Sequence, residues 1–592
     1  MKRRLATFAI AGALVLGSAA PISAAAAETD CKSASAGGPM WIDTICTDPV
    51  YGQPVIDARS DVTAPALSHL VEGHFEGTNV TFRVFLPPAA DWEGRFYQFT
   101  YPTDGQEPVD SVLFGATHGG YTVQTSGVAG YRHIAAAAKY ARTVAAEYYG
   151  VGADSISGYL YGWSGGSYQV VGAMENSDGV WQGGVPIVQG IETSTLNNFT
   201  IRALAAFVLE DRKVEIEAAL RPGGSGDPYA ALSDVQRGVL HEATRMGIPL
   251  RAWEDFDELA TTVAFDGVGS LVGVFDPSYV EDFWTKPGYL GTEQSSLGEL
   301  FRAALAEDPG SRSRLARLAY HRYTLPTRSG FVGYDQYRDA DGHPIYPQRA
   351  TSVSSFLGRA ISGGALFNGQ ITGKMIAVNS VLDSDAFPWH GAWYADQVHS
   401  ALGASADDSY RIWYTDSANH GPYARNNADD ARLVPYMQVV FQALDDMAAW
   451  TEDGIAPPQS TNYKVTDESQ VVLPDAAAVR RGVQPTADLT LRGGADRVVV
   501  AAGEAVHFSA KLQVPPGAGQ IVSVEWDFEG DGTYEKAVIP AGKSTIVLKA
   551  SHTYGQSGSY YPVVRVGSQR DGDATDTLTI IQNLDRANVV VN

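Results

Sequence analysis

Gly162-Trp163-Ser164-Gly165-Gly166 has the G-x-S-x-G form in which a serine hydroxyl is presented for attack on a carbonyl carbon. A serine is a weak nucleophile on its own, so that chemistry needs a histidine to take its proton and an acid to orient the histidine. With 62 glycines in 592 residues, such a pentapeptide arises readily by chance. Its neighbours give it weight. Residues 157–161 (SGYLY) read as a short apolar strand, and residues 168–174 (YQVVGAM) begin a helix. A strand–turn–helix is what an exposed, strained serine requires, and the three glycines remove side chains that would collide with the strand and helix.

On this type of scaffold the partners follow in the order serine, acid, histidine, each in a loop after a late strand. His69, His74, His118 and His133 precede the serine, His241, His321 and His343 fall within a helical insertion, and His507 and His552 lie in a β-rich tail. His390, His399 and His420 remain. His399 sits on a helix-like segment (WYADQVHS) and reads as solvated, whereas His390 follows too closely after the acid loop. His420, in SANHGPY directly after the strand pattern YRIWYT, is the expected base. For the acid, the strand KMIAVNSVL runs into Asp383-Ser384-Asp385, and either carboxylate could orient the imidazole. The amide of Gly165 and one amide after RFYQFTY, from Tyr101 or Thr103, would hold the oxyanion. Pro102 has no N–H to offer.

These residues need a sheet with a late pair of strands, and the pattern supplies an α/β architecture, an α/β-hydrolase fold with a helical cap. NVTFRVFLP (79–87) and RFYQFTY (95–101) read as adjacent strands, residues 131–150 as an alanine-rich helix, and 374–379 and 410–415 as late strands closed by an amphipathic helix. Residues from about 193 to 350 read as helices without strands, where a cap would be inserted. Trp253, Phe275, Phe283, Trp284 and Tyr289 in that block are either substrate surface or simply cap core. YRDADGHPIYP (337–347) reads as a hairpin turn, its acids serving the turn rather than calcium. Residues 457–485 form a connector, and from about 486 short β segments alternate with Gly, Pro, Asp and Asn, as in an immunoglobulin-like sandwich.

Met1-Lys2-Arg3-Arg4, an apolar run and a small-residue end give a signal peptide over 1–27, hence export and an extracellular location for a domain of 28–485 and a tail of 486–592. No later stretch is apolar for long enough to insert in a membrane. The formal charge of −24, about −27 without the leader, excludes nucleic acid and anionic membranes as partners. Cys31 and Cys46 are the only cysteines and read as a disulfide. No cofactor or metal is expected. The expected activity is a secreted serine esterase acting on a small or polymer-linked ester, with peptide hydrolysis on the same fold, or non-catalytic binding through the tail, as alternatives.

Several stretches resemble the tannase and feruloyl esterase family: WEGRFYQ, the run YRHIAAAAKYARTVAAEYYGVGADSISGYLYGWSGGSYQVVGAME, SVLDSDAFPWHGAWYADQV, YRIWYTDSANHG and ALDDMAAWTEDGIAPP. The likeness spans roughly 90–195 and 370–460, and leaves the cap unmatched. On the family pattern the acid stands five residues before a proline and eleven before a tyrosine; Pro388 and Tyr394 thus imply Asp383. The family's cysteines beside the serine and the histidine are here Trp163 and Gly421, and no cap segment resembles its calcium-binding pattern. In the tail, VEWDFEGDG (524–532), HTY (552–554) and GSY (558–560) resemble the PKD domain, which implies a spacer or surface-contact role. Asp527, Glu529 and Asp531 imitate an EF-hand loop, but Val538 stands where its bidentate acid belongs, so a tight turn is the reading.

Overall fold

The computed structural model describes residues 29–592 apart from 37, 329 and 425, so the leader expected at 1–27 lies outside the described residues. Nine strands form one sheet: β1 (Pro54–Val62), β2 (Ser68–Phe75), β3 (Thr81–Leu86), β4 (Arg95–Phe99), β5 (Gly120–Thr125), β6 (Ser157–Trp163), β7 (Gly183–Ile187), β8 (Lys374–Ser380) and β9 (Tyr410–Thr415). Their spatial order is β1-β2-β3-β5-β4-β6-β7-β8-β9. Pairing is antiparallel from β1 to β5 and parallel thereafter. Such a sheet, with a crossed β5–β4 pair and a serine turn after β6, is the α/β-hydrolase fold.

β3 and β4 are not adjacent, contrary to expectation, because β5 lies between them. β5 and β7 carry little strand signal in the sequence, for physical reasons. GYTVQT opens on glycine, and GGVPI carries two glycines and a proline, all weak strand formers. Both glycines of β7 are demanded by packing: a Cβ at Gly183 would strike the sulfur of Met447, and one at Gly184 would lie 2.7 Å from Met174.

Alternation along the central strands splits the core between the two faces of the sheet. Phe96, Tyr121 and Leu160 pack against α1 (Arg132–Tyr149) and α2 (Gly165–Asn176). Tyr97, Tyr159 and Tyr161 point the other way. They share a core with Phe441 of the closing helix, which runs from Met437 to Glu452. That same apolar cluster continues into Trp526, Val563 and Val566 of the tail. At the N-terminal end, Cys31 and Cys46 form a disulfide, and the segment is tied to the end of α2 by a bond from Ile42 N–H to Asn176 O of 3.0 Å.

Between β7 and β8 the described residues hold helices and no strand of the main sheet, from α3 (Ser194–Leu209) to Val353–Ile361, somewhat beyond the expected limit at 350. Trp253, Phe283 and Tyr289 are buried as cap core, while Phe275 is exposed and packs on Phe356. Residues 256–275 are apolar and long enough by composition to cross a membrane, contrary to expectation. They are folded as three short helices, Phe256–Leu259, Val263–Gly269 and Val272–Phe275, whose breaks would leave backbone groups unsatisfied in a bilayer.

The tail is all β. Strands β10 (Thr486–Leu491), β11 (Ala505–Gln513) and β13 (Thr545–Thr553) form one sheet. A second contains β12 (Gln520–Asp527), β14 (Val563–Gln569) and β15 (Ile581–Arg586). Asp527 accepts N–H bonds from Gly530 (2.7 Å) and Gly532 (2.8 Å), so the EF-hand-like stretch is a turn. The tail does not hang from a tether. Gln470 of the connector donates to Thr244 O (2.9 Å) and Ile248 O (3.2 Å) of the cap. Arg565 bridges Asp430 (2.8 Å) of the large domain and Glu525 (2.9 Å) of the tail, with its guanidinium 3.6 Å from the Tyr534 ring centroid. Removing one partner of such a half-desolvated cluster strands the others. Arg565→Ala is therefore expected to destabilise the full chain by about 3 kcal/mol, read as a lower denaturant midpoint, with Arg565→Lys recovering only part of it.

Candidate active site

Ser164 occupies the turn between β6 and α2 with φ 51° and ψ −117°, a backbone conformation that costs a non-glycine residue on the order of 1–3 kcal/mol. Neighbouring contacts hold it there. Ser164 N–H donates to Ile187 O at 3.0 Å, and Ser164 O accepts from the N–H (3.0 Å) and hydroxyl (2.5 Å) of Ser167. Gly162 and Gly166 lie against Thr100 O, at distances where either would clash if it carried a Cβ. Buried Gln169 ties the parts together: it accepts from Thr100 Oγ1 at 2.8 Å and donates to Val128 O and Gly130 O at 2.6 and 2.7 Å. The end of β4 is thus locked to the elbow helix by a glutamine that carried no sequence signal.

At the end of β8, Asp383 is fully buried and faces His420, which follows β9. Its Oδ2 and Oδ1 lie 2.8 and 3.0 Å from His420 Nδ1. Oδ1 also accepts the N–H groups of Asp385 and Ala386, each at 2.8 Å, so the carboxylate is clamped from two sides. Asp385, left open as an alternative acid, is elsewhere engaged. Its carboxylate is ion-paired with Arg202 of α3, and its backbone carbonyl accepts Asn198 Nδ2 at 2.7 Å. Burial holds the Arg202 guanidinium down to about 10, which makes its carboxylate partner the more necessary. The other two histidines are placed apart. His399 is half exposed on α4 (Trp389–Leu402), and burial pushes His390 down to about 3.

The loop bearing His420 is fastened at both ends. Asp416 carries charge–charge contacts to Arg251 (3.2 Å) and Arg480 (3.3 Å), which outweigh burial and lower its pKa. Gln484 accepts Asp416 N–H at 2.7 Å, and donates to Asp416 O and to Gln582 O of the tail at 3.0 and 2.9 Å. The Tyr436 hydroxyl donates to His420 O at 3.0 Å.

Tyr101 and Pro102 lie against Gly165, with Pro102 2.7 Å and the Tyr101 ring 3.7 Å from where a Gly165 Cβ would stand. Among the described residues, neither the Gly165 nor the Tyr101 N–H has a protein acceptor, as an oxyanion pocket requires. Tyr101 also offers its phenol, which interacts with the Ser164 hydroxyl; burial raises that phenol's pKa. From the sequence, Tyr101 is expected to contribute only its backbone amide. Ser164 and His420 are not hydrogen-bonded to each other in this arrangement, a common state of such sites before substrate aligns them. Trp163, in the place of the resembled family's cysteine, packs its ring 4.8 Å from Phe99. The Asp339 carboxylate accepts Asp341 and His343 N–H at 3.0 and 2.8 Å, in keeping with a hairpin turn.

The sheet and its serine turn define a chain with an α/β-hydrolase domain and an immunoglobulin-like tail. Residues 488–581 match the PKD domain family. Feruloyl esterase B from Aspergillus oryzae is a similar solved structure (12% identity, TM-score 0.37, covering 71% of this chain and 91% of that one). So are an esterase from the same organism (14%, 0.32, 71% and 91%) and tannin acyl hydrolase from Aspergillus niger (12%, 0.33, 71% and 86%). Comparison with curated proteins found no match.

The closeness of Gly166 to Thr100 O yields a sharp expectation. Gly166→Ala should lower stability by about 3 kcal/mol or more, or prevent folding, because backbone rather than a movable side chain opposes the new methyl. Gly150→Ala, at the end of α1 where nothing lies within 4 Å, should cost only about 1–2 kcal/mol, the penalty of a side chain at a φ of 70°. Thermal unfolding of the two variants tests the contrast.

Proposed function

We propose that the chain is an exported serine hydrolase that cleaves carboxylic esters. The observation that supports this most directly is the strained Ser164 at a strand–helix turn, on the same sheet edge as a buried Asp383 bonded to His420 Nδ1. In the proposed cycle Ser164 Oγ attacks the ester carbonyl carbon while His420 Nε2 takes its proton. The amides of Gly165 and Tyr101 hold the resulting oxyanion. The tetrahedral species collapses with cleavage of the carbonyl-carbon–oxygen bond, and His420 returns the proton to the departing alcohol. Water then attacks the acyl-serine, gives a proton to His420, and releases the carboxylic acid as that proton goes back to Ser164. Asp383 keeps Nδ1 protonated and stabilises the imidazolium throughout. Export is supported by the basic–apolar leader pattern and by the Cys31–Cys46 disulfide, which an oxidising compartment permits.

A fluorophosphonate probe and a panel of aryl, phenolic, sugar and peptide substrates test the reading together. Labelling should be lost in Ser164→Ala and retained in Ser167→Ala, and ester turnover should exceed peptide turnover. Asp383→Asn should lower kcat by about 10³-fold or more through loss of the correct tautomer. Asp385→Asn should act mainly on stability, by leaving Arg202 buried without its carboxylate. If folded wild-type protein takes no label, the serine is not a nucleophile; if Asp385→Asn alone abolishes turnover, the acid is misassigned.

A further inference from the structure

His420 and Asn419 form part of the wall of a cleft of about 650 Å³ that the large domain does not enclose by itself. One side is the acid loop at Leu382 and Ser384, another is the cap at Arg251 and Glu254, and the third is the tail. Strands β10 and β11 turn one face to it: Asp488 stands directly opposite Lys511, and Thr486 opposite Gln513. Ser164 is not part of this wall, which meets the candidate triad at His420. A second recess of about 620 Å³ shares Glu254, Asp255, Glu258, Arg432 and Arg586 with the first, and carries it onward along the seam between cap and tail. The seam is pinned by Arg586 of β15 to Glu254 of the cap at 2.8 Å, and by Tyr534 to Asp430 O at 2.7 Å.

We infer that the PKD domain is a wall of the substrate cleft, and that this wall selects esters carried on a neutral, hydroxyl-rich chain. The inference rests on the esterase reading above. Its chemistry follows from what the cleft leaves available. Arg251 and Arg480 are engaged by Asp416, Arg432 by Asp255, and Arg586 by Glu254, which leaves Lys511, across from Asp488, as the one lining cation with no ion pair among the described residues. Carboxylates outnumber cations along the cleft, and Asp475, Asp488 and Asp496 are exposed acceptors there. Chain hydroxyls can donate to those acceptors, whereas a carboxylated chain is repelled by them. The combined volume of the two joined recesses suits an extended chain better than a compact acid or alcohol.

The test compares two substrates in the full chain: 4-nitrophenyl acetate, which reaches only the serine, and an acetylated cello-oligosaccharide, which fills the cleft. Gln513→Trp, which places a large ring on the tail wall, should lower the ratio of kcat/KM for the oligomer to that for 4-nitrophenyl acetate at least tenfold. Wild-type protein should prefer the neutral oligomer over a carboxymethylated one, and Asp488→Lys should narrow that preference at least threefold. Calorimetric titration of the unacetylated oligomer into Ser164→Ala gives a readout independent of turnover, and the affinity should fall when Gln513→Trp is added. An unchanged ratio in Gln513→Trp, equal losses on both substrates, or no preference between neutral and carboxymethylated chains overturns the inference. Oligomer binding that depends on Gln513 in a protein that neither hydrolyses 4-nitrophenyl acetate nor takes a fluorophosphonate would sustain the wall and discard the esterase reading.

Discussion

Everything at the candidate site depends on the contact between Thr100 O and the glycines that flank Ser164. A serine at φ 51° is unfavourable in isolation and persists only where its surroundings leave no alternative. Here the end of β4 presses on the start of α2 with no side chain between them, and Gln169 secures that approach from the other side. The same closeness brings Tyr101 against Gly165, the residue after the serine. Elbow and candidate anion pocket therefore share one piece of geometry.

Asp383 and His420 obey a different constraint, the competition between two neighbouring carboxylates for two cationic or proton-donating partners. Asp383 receives His420 and two amides, while Asp385 is consumed by Arg202 from the cap. A cap helix thus takes part in deciding which carboxylate faces His420, since without Arg202 a second carboxylate would stand free beside the first. His420 depends in turn on a loop whose first residue, Asp416, is held by a cap arginine, a connector arginine and Gln484. Cap, connector and tail all converge on the position of one imidazole.

Much of this was legible in the residues. The serine turn, the positions of Asp383 and His420 and the helical insertion follow from glycine placement, strand ends and periodicity, and Asp383 and His420 each sit where a strand pattern stops. Local signals failed where packing overrides propensity. Gly183, Gly184 and Pro186 look like a loop, yet form an interior strand because two methionine-bearing helices need the space that glycine leaves. GYTVQT carries a weak strand signal for the same kind of reason, and the crossed strand order is hidden with it. Asp383 and Asp385 could not be told apart from residue type alone; the resemblance singled out Asp383, and the partner that occupies Asp385 lies 183 residues away. The phenol of Tyr101 and the engagement of the tail are likewise long-range facts. Sequence patterns of the tail described a sandwich correctly and said nothing of the surface it meets.

The apolar cluster that joins the sheet, the closing helix and the tail has a consequence for how the protein is made. Tyr97, Tyr159 and Tyr161 are translated early, but the helix that covers them ends at Glu452, and the tail that completes their cluster comes later still. A growing chain therefore carries an uncovered, tyrosine-rich sheet face through the synthesis of the entire cap. Such a surface is prone to aggregate until it is buried. Biogenesis of this enzyme-like body is gated by its last segments, so truncation from the C-terminal side would be felt first as lost solubility of the whole chain.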